Sequence, residues 1–300
     1  MKTYQVYQVD SFTTEKFAGN PAGVVLNADG LSEKQMLLIA RELNNSETAF
    51  IFAPEGPDHD LRIRYFTPTV EVPVCGHATI AAHYVRASVN QLASSTVIQK
   101  INIGILPVEI IKEEKGCLIV MTQGKIQFSP PFTGQVYDNI IAALGLENED
   151  LDQRCPIQIV STGHSKVMIG IKSRKKLDSL KPDMVALSKL SAFIGCNGYF
   201  LFTFDSETAG ILTHGRMFAP AIGIAEDPVT GNANGPLGAY LVRHDLVKHN
   251  ASSFSFKGEQ GTAIGRSGIV EVQVKIEKGA PVEVKIGGRA VILFQTTIEL

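Results

Sequence analysis

Arg64-Tyr65-Phe66-Thr67-Pro68 returns later in the chain as Arg216-Met217-Phe218-Ala219-Pro220. Each copy is followed by a glycine turn and a run of small residues that predicts a helix. The two copies lie about half a chain length apart, which is too long for a solenoid repeat and is typical of a duplicated domain. The repeat therefore predicts two related halves that face one site.

The stretches that follow the two copies extend this likeness. Cys75-Gly76-His77-Ala78-Thr79 follows the first copy, and Thr230-Gly231-Asn232-Ala233-Asn234 follows the second. In both stretches a glycine opens a run of small residues. One helix should therefore begin just after Gly76, and its counterpart should begin just after Gly231.

Short β-rich runs dominate the rest of the chain, and Ser32 with Gln35 forms a capping box that predicts a helix from about Ser32 to Leu43. Strands in runs with helices set between them predict an α+β fold, in which a curled sheet wraps a helix in each half. We expect an N-terminal domain over residues 1–127, completed by the C-terminal strand at about 287–300, and a second domain over 128–286.

Composition narrows the class of protein. A chain of 300 residues that is 44% hydrophobic and 19% charged can bury a large core. Its formal net charge of −2 offers no basic excess for nucleic acid. The chain starts directly in a strand-like pattern and has no apolar stretch long enough to cross a bilayer, so we expect a cytoplasmic protein without a membrane partner. The four cysteines are scattered without a C-x-x-C pair, which indicates neither a disulfide scaffold nor a zinc cluster.

Glu47 is the first candidate for chemistry. It lies after the predicted Ser32 helix and immediately before the apolar stretch Ala49-Phe50-Ile51. Partial withdrawal from water raises the pKa of a carboxyl group and suits it to general acid and base catalysis. The alternative is an ordinary exposed glutamate at a strand edge.

His77 and Asp227 are the other two catalytic candidates. Gly76 and His77 stand where a turn enters a helix, so main-chain N–H groups there can hold an anion while the imidazole donates or relays a proton. Asp227 lies shortly before the second helix, which begins after Gly231. Either residue can instead serve only as a cap. If the two helix starts face each other, the natural ligand is a small carboxylated molecule.

Several other site types find no support. The histidines show no metal-ligand spacing with a carboxylate, so no metal is predicted. Gly163-His164-Ser165-Lys166 matches only part of a phosphate loop, and no dinucleotide-binding motif is present. No serine lies in a nucleophile elbow.

Four motifs occur in order along the chain: Asn20-Pro21-Ala22-Gly23, Asn45-Ser46-Glu47-Thr48, Cys75-Gly76-His77-Ala78-Thr79 and Asp227-Pro228-Val229-Thr230-Gly231-Asn232-Ala233. Together they resemble the PhzF-like isomerases of phenazine biosynthesis. The resemblance spans nearly the whole chain. It implies the diaminopimelate epimerase fold, with two pseudo-symmetric domains, each a sheet curled around a central helix, and the active site in the cleft between them.

The resemblance also implies roles for individual residues. Glu47 corresponds to the proton-shuttling glutamate of the family, with His77 and Asp227 as its partners. The family's substrate-contact positions fall on Asn20, Ser46, Gly76, Gly231 and Asn232. The phenazine enzyme moves a proton within a cyclic dihydro-hydroxyanthranilate without a metal or organic cofactor, and it is a homodimer.

One departure separates the chain from the epimerases of the same fold, which use two facing cysteines. Here only Cys75 remains, and the sequence pattern places Asp227-Pro228 at the equivalent position in the second half. The main interpretation is a cofactor-independent isomerase. Two alternatives stay open: an amino-acid epimerase or racemase that uses Cys75 with Glu47 or Asp227, and a non-catalytic protein that binds small acids.

Overall fold

The structure is a computed structural model that describes residues 1–300. The chain divides into two compact units, unit 1 over residues 1–122 with 287–300 and unit 2 over residues 123–286. The division expected from the sequence differs only in assigning residues 123–127 to the first domain. No helix in either unit has the length and apolar character needed to span a bilayer.

Runs of strands with helices set between them make up the chain. In chain order they are β1 (Thr3–Ser11), β2 (Asn20–Val25), α1 (Glu33–Leu43), β3 (Thr48–Phe52), β4 (Leu61–Phe66), β5 (Glu71–Val72), α2 (Gly76–Val89), β6 (Ser95–Ile101), β7 (Gly104–Lys112), β8 (Cys117–Thr122), β9 (Gln127–Phe128), α3 (Gly134–Leu144), β10 (Gln158–Ser161), β11 (Ser165–Gly170), α4 (Arg174–Ser179), α5 (Met184–Ile194), β12 (Tyr199–Thr203), β13 (Thr213–Ala219), β14 (Ile224–Asp227), α6 (Gly231–Arg243), β15 (Ser253–Gln260), β16 (Gly268–Glu277), β17 (Ala280–Gly288) and β18 (Ala290–Glu299).

Unit 1 is a mixed sheet in the order β18-β1-β2-β3-β4-β6-β7-β8. Helix α2 packs against β1, β2, β3, β8 and β18, so strands from both ends of the sheet order contact it. Its residues from Ala78 to Ala82 are fully buried. A helix apolar on all sides needs such enclosure. Helix α1 covers the other face, and its predicted capping box is confirmed: the Ser32 side chain accepts from the main-chain N–H of Gln35.

Unit 2 repeats this plan with the order β9-β10-β11-β12-β13-β15-β16 and with β14 beside β13. Helix α6 packs against β10, β11, β15 and β16, while α3, α4 and α5 cover the opposite face. Gly238 lets α6 approach closely, because a Cβ atom there would lie 2.7 Å from Val272 Cγ1. Pro236 lies inside α6 rather than in its first turn.

The repeated pentapeptides form the same local structure in both units. Arg64 donates two hydrogen bonds to Glu71, at 2.8 and 2.6 Å, and its guanidinium lies 5.1 Å from the ring centre of Phe66. Arg216 donates two hydrogen bonds to Glu226, at 2.9 and 2.7 Å, and lies 4.9 Å from the ring centre of Phe218. In each unit the arginine thus ties one strand to the next, just before the glycine-started helix.

Candidate active site

In unit 1 the predicted residues meet at the start of α2. Cys75 is the N-cap residue in an extended conformation, and the helix begins without a side-chain cap. Gly76 and His77 form its first turn. The main-chain carbonyl of His77 accepts a 2.8 Å hydrogen bond from the Ser11 hydroxyl, which fixes this turn against β1. Asn20, which is 1% exposed, begins β2 directly opposite Ser11.

The His77 ring lies at the centre of this group. Its Nε2 atom is 3.3 Å from Glu47 Oε2 and 3.2 Å from Ser46 Oγ, while its Nδ1 atom is 3.5 Å from Cys75 Sγ. The side chains of His77 and Glu47 are 9% and 17% exposed. The imidazole can therefore orient the carboxylate and, when protonated, place a positive charge beside it. Both side chains are only partly exposed to water.

The loop that carries Glu47 is held on both sides. Asn45 and Gln8 exchange two amide hydrogen bonds of 2.8 and 2.9 Å in a buried position. The carbonyl of Glu47 accepts from the N–H of Gly23 at 3.2 Å. Since Asn44 ends α1 in the left-handed conformation, the chain turns at once into this loop and then into β3. Glu47 is thus fixed by its main chain while its carboxylate stays accessible.

Unit 2 presents a corresponding group at the start of α6. Thr230 is the N-cap, but its hydroxyl donates to Asp227 Oδ2, and α6 likewise begins without a side-chain cap. Gln260 connects the group: its Nε2 donates to the carbonyl of Asp227 at 2.8 Å, and its Oε1 accepts from the N–H of Thr230 at 3.0 Å. Asp227 is 9% exposed. Thr230 thus holds the carboxylate of Asp227, and Gln260 holds its main chain.

Gly231 and Asn232 are held by Gln123. Its Nε2 donates to the carbonyl of Gly231 at 3.2 Å and to Asn232 Oδ1 at 2.9 Å. Thr162 in turn donates to Gln123 Oε1 at 2.8 Å. The first turn of α6 is therefore positioned from outside the helix.

Lys166 is a buried cation on the same sheet face as Asp227. Met168 pairs with Phe200, Phe200 with Met217, and Met217 with Asp227, so these four residues share one face. Lys166 lies two residues before Met168 on β11 and therefore faces the same way. The opposite face is the apolar core under α3, α4 and α5.

The side chain of Lys166 runs over Gly198, the residue just before β12, rather than out to solvent. A Cβ atom on Gly198 would lie 2.3 Å from Lys166 Cδ and 3.5 Å from its Nζ, so the absence of a side chain at Gly198 makes room for the lysine. The residue is 9% exposed, and its ammonium donates to the carbonyl of Ser165 at 3.2 Å. Burial lowers the pKa of Lys166, and neighbouring Cys196 and Asp227 oppose that lowering.

The structure thus groups the predicted residues into two sets, one in each unit. Unit 1 holds Asn20, Ser46, Glu47, Gly76 and His77, and unit 2 holds Asp227, Gly231 and Asn232. Within each set the residues lie together.

One sequence inference is wrong. The residue of unit 2 that corresponds to Cys75 is Thr230, the N-cap of α6, and not Asp227-Pro228. The two helix starts correspond as Cys75-Gly76 and Thr230-Gly231, because in both units the N-cap is the residue just before the glycine that opens the helix. Asp227 instead ends β14.

Sequence reasoning missed four supporting residues: Gln8, Gln123, Lys166 and Gln260. Lys166 belongs to the Gly163–Lys166 stretch, in which the sequence shows only a partial match to a phosphate loop. The three glutamines have no local signal, because each acts on a segment far away in the sequence. Their roles become visible only in the folded chain, where each buried amide group is paired with a distant segment.

Comparison with known sequences adds relatives over the whole chain. Residues 9–296 match the family described as PhzC-PhzF, phenazine biosynthesis-like proteins. An uncharacterized isomerase of Clostridium acetobutylicum is 59% identical over 300 residues, which are 100% of this chain and 99% of the relative. The trans-2,3-dihydro-3-hydroxyanthranilate isomerase of Pseudomonas aeruginosa is 31% identical over 258 residues, or 86% of each chain.

Comparison with solved structures also finds relatives over the whole chain. A PhzF family protein of Bacillus anthracis matches with a TM-score of 0.90 at 33% identity, covering 100% of both chains. A hydroxyproline epimerase of Agrobacterium vitis matches with a TM-score of 0.64 at 12% identity, covering 99% of this chain and 93% of the epimerase, a likeness that shows the fold alone. The predicted epimerase-like α+β fold is confirmed.

Proposed function

The chain belongs to the PhzC-PhzF family and is an isomerase, and we propose that it moves a proton between two carbons of a small carboxylated metabolite. Glu47 is the single acid and base of this proposal. Its carboxylate takes a proton from an activated C–H bond, and the electron pair left behind delocalises into the unsaturated substrate. The same carboxyl group then returns the proton to another carbon, so the reaction needs no cofactor.

The observation that carries the proposal is the contact between Glu47 and His77. The 3.3 Å separation lets the imidazole hold one carboxylate oxygen and leaves the other for the substrate. A base that must collect and return one proton needs a fixed position, and the Asn45–Gln8 amide pair supports such a position.

The two helix starts and Asp227 supply the binding groups in this proposal. Helices α2 and α6 both start without a side-chain cap, so main-chain N–H groups of their first turns suit a substrate carboxylate. Asp227 orients the ligand, and the ammonium of Lys166 lies on the same sheet face, where the charge of Asp227 opposes the lowering of the Lys166 pKa by burial. That both helix starts hold one substrate in a shared cleft stays a prediction.

The test is proton NMR in D₂O with small unsaturated carboxylic acids, including the dihydro-hydroxyanthranilate. We expect deuterium to enter carbon, or a double bond to migrate, with the wild-type protein. Glu47→Gln should lower that rate by at least about a hundredfold, since general acid and base catalysis contributes roughly 10²–10⁴. Glu42→Gln, on the exposed side of α1, is the matched control and should keep the full rate.

One observation favours a second candidate, an epimerase that uses a thiol. Cys75 Sγ lies within 3.5 Å of the His77 ring, close enough to exchange a proton with a substrate held there. Cys75→Ala separates the two functions, because exchange that survives this change but not Glu47→Gln belongs to the single-carboxyl reaction. Exchange that survives Glu47→Gln and vanishes in Cys75→Ala would instead establish the thiol as the base.

A further inference from the structure

Three different ligand types converge beside the first turn of α2. Glu47, Cys75 and His77 each offer one ligand atom, and these atoms all lie within 4.8 Å of one another. His77 Nε2 lies 3.3 Å from Glu47 Oε2 and 3.9 Å from Cys75 Sγ. The sequence analysis predicts no metal here, because Glu47 lies far from Cys75 and His77 along the chain and the histidines show no metal-ligand spacing.

These separations suit a tetrahedral metal ion. With zinc bonds of about 2.0–2.1 Å to nitrogen and oxygen and about 2.3 Å to sulfur, tetrahedral angles place nitrogen about 3.3 Å from oxygen and about 3.6 Å from sulfur. The first value is already present, whereas Cys75 Sγ, which lies 3.9 Å from Nε2 and 3.5 Å from Nδ1, has to move toward the Nε2 side of the ring to bind the same ion. We propose that Glu47, Cys75 and His77 bind Zn²⁺ or a similar thiophilic divalent cation, and that this binding inhibits the enzyme.

Charge and burial support the same ligand class. A carboxylate and a metal-bound thiolate bring two negative charges, which suit a divalent cation. Cys75 and His77 are 6% and 8% exposed, so the metal would be largely withdrawn from solvent. The mixture of sulfur, nitrogen and oxygen ligands selects zinc, cobalt or copper over magnesium and calcium, which prefer oxygen alone.

Three protein ligands leave a fourth position for water or for a carboxylate. Inhibition rests on the proposed function, because the metal would occupy the carboxyl group that carries the proton and the imidazole that orients it. Binding itself does not depend on that function. It can therefore be measured without any substrate.

The binding experiment is a Co²⁺ titration of the full chain, followed by displacement with Zn²⁺. We expect one equivalent of Co²⁺ to give the near-ultraviolet band of a thiolate–cobalt bond and the visible bands of a tetrahedral site. Cys75→Ser should remove the thiolate band and weaken Zn²⁺ binding by at least about tenfold, since changes around metal ligands typically cost about 10–100-fold. Cys117→Ser, another buried cysteine of unit 1, is the control and should bind as wild type does.

Two results would overturn the metal site: a wild-type spectrum without the thiolate band, or a band that persists in Cys75→Ser.

Inhibition is tested by the D₂O exchange assay with and without Zn²⁺, and with a chelator added afterwards. Zn²⁺ bound at one equivalent without slowing exchange would refute inhibition alone. A wild-type protein that binds Co²⁺ as expected but shows no exchange with any substrate would contradict the isomerase proposal and leave the metal site standing.

Discussion

At the scale of single residues, Lys166 is the side chain whose position is hardest to explain by stability. Its ammonium is buried over Gly198 and donates to a main-chain carbonyl. Burying a charge costs free energy unless the charge is well paired. A buried lysine on the same sheet face as Asp227 therefore points to a role beside that carboxylate.

Lys166→Met should raise the free energy of unfolding at neutral pH. The pKa of Lys166 is lowered on folding because the cost of burying its charge exceeds the attraction of Cys196 and Asp227, so an uncharged side chain should remove a net unfavourable interaction. The pKa of Lys166 is lowered in the folded protein, so the cost of its charge falls as pH rises toward its unfolded pKa. The gain from Met should accordingly be largest near neutral pH and should shrink in alkaline buffer.

Urea unfolding of the two proteins from about pH 7 to 10 measures this difference. Lys175→Met, at an exposed position of α4, is the matched control and should change stability little. A Lys166→Met protein that is less stable than wild type at neutral pH would show that the ammonium makes a net favourable interaction.

At the scale of elements, the ion pair formed by the repeated arginine should contribute more to the free energy of unfolding in unit 2 than in unit 1. Arg216 is 8% exposed and also donates to the carbonyls of Leu177 and Leu180, whereas Arg64 is 16% exposed. Removing one partner of a buried ion pair leaves the other charge uncompensated.

We expect Arg216→Met to lower the free energy of unfolding by about 3 kcal/mol and Arg64→Met by about 1 kcal/mol. The same substitution in both units makes each variant the control for the other. Denaturation followed by circular dichroism gives both values. Equal losses would mean that burial of the pair does not decide its contribution.

At the scale of the whole molecule, partly buried carboxylates should make stability fall in acid. Hydrogen bonds from Arg64 lower the pKa of Glu71, and hydrogen bonding to His214 lowers the pKa of Glu259. A carboxyl group whose folded pKa is lowered contributes stability above its unfolded pKa and loses that contribution as pH falls.

The thermal midpoint should therefore decrease as pH falls from about 5 to about 3. Arg64→Met removes the partner of Glu71, so the decline of that variant should be shallower than that of the wild type. Parallel midpoint curves for the two proteins would show that Glu71 contributes nothing to acid sensitivity.

Local signals explain what could be predicted from the sequence. The capping box at Ser32 and the glycine starts at Gly76 and Gly231 involve neighbouring residues, and helices begin close to each of them. The grouping of Glu47 with His77 is implied by the resemblance to PhzF-like isomerases. Lys166 and Gln260 could not be assigned a role, because their partners are set by strand register and by long-range packing.

The position of Gln123 also constrains protein engineering. It is the first residue of unit 2, and its side chain fixes Gly231 and Asn232. A split or circularly permuted version of this enzyme must therefore be opened elsewhere than between residues 123 and 127. A cut there would leave this amide on a loose chain end and free the start of α6, even though no proposed catalytic side chain had been changed.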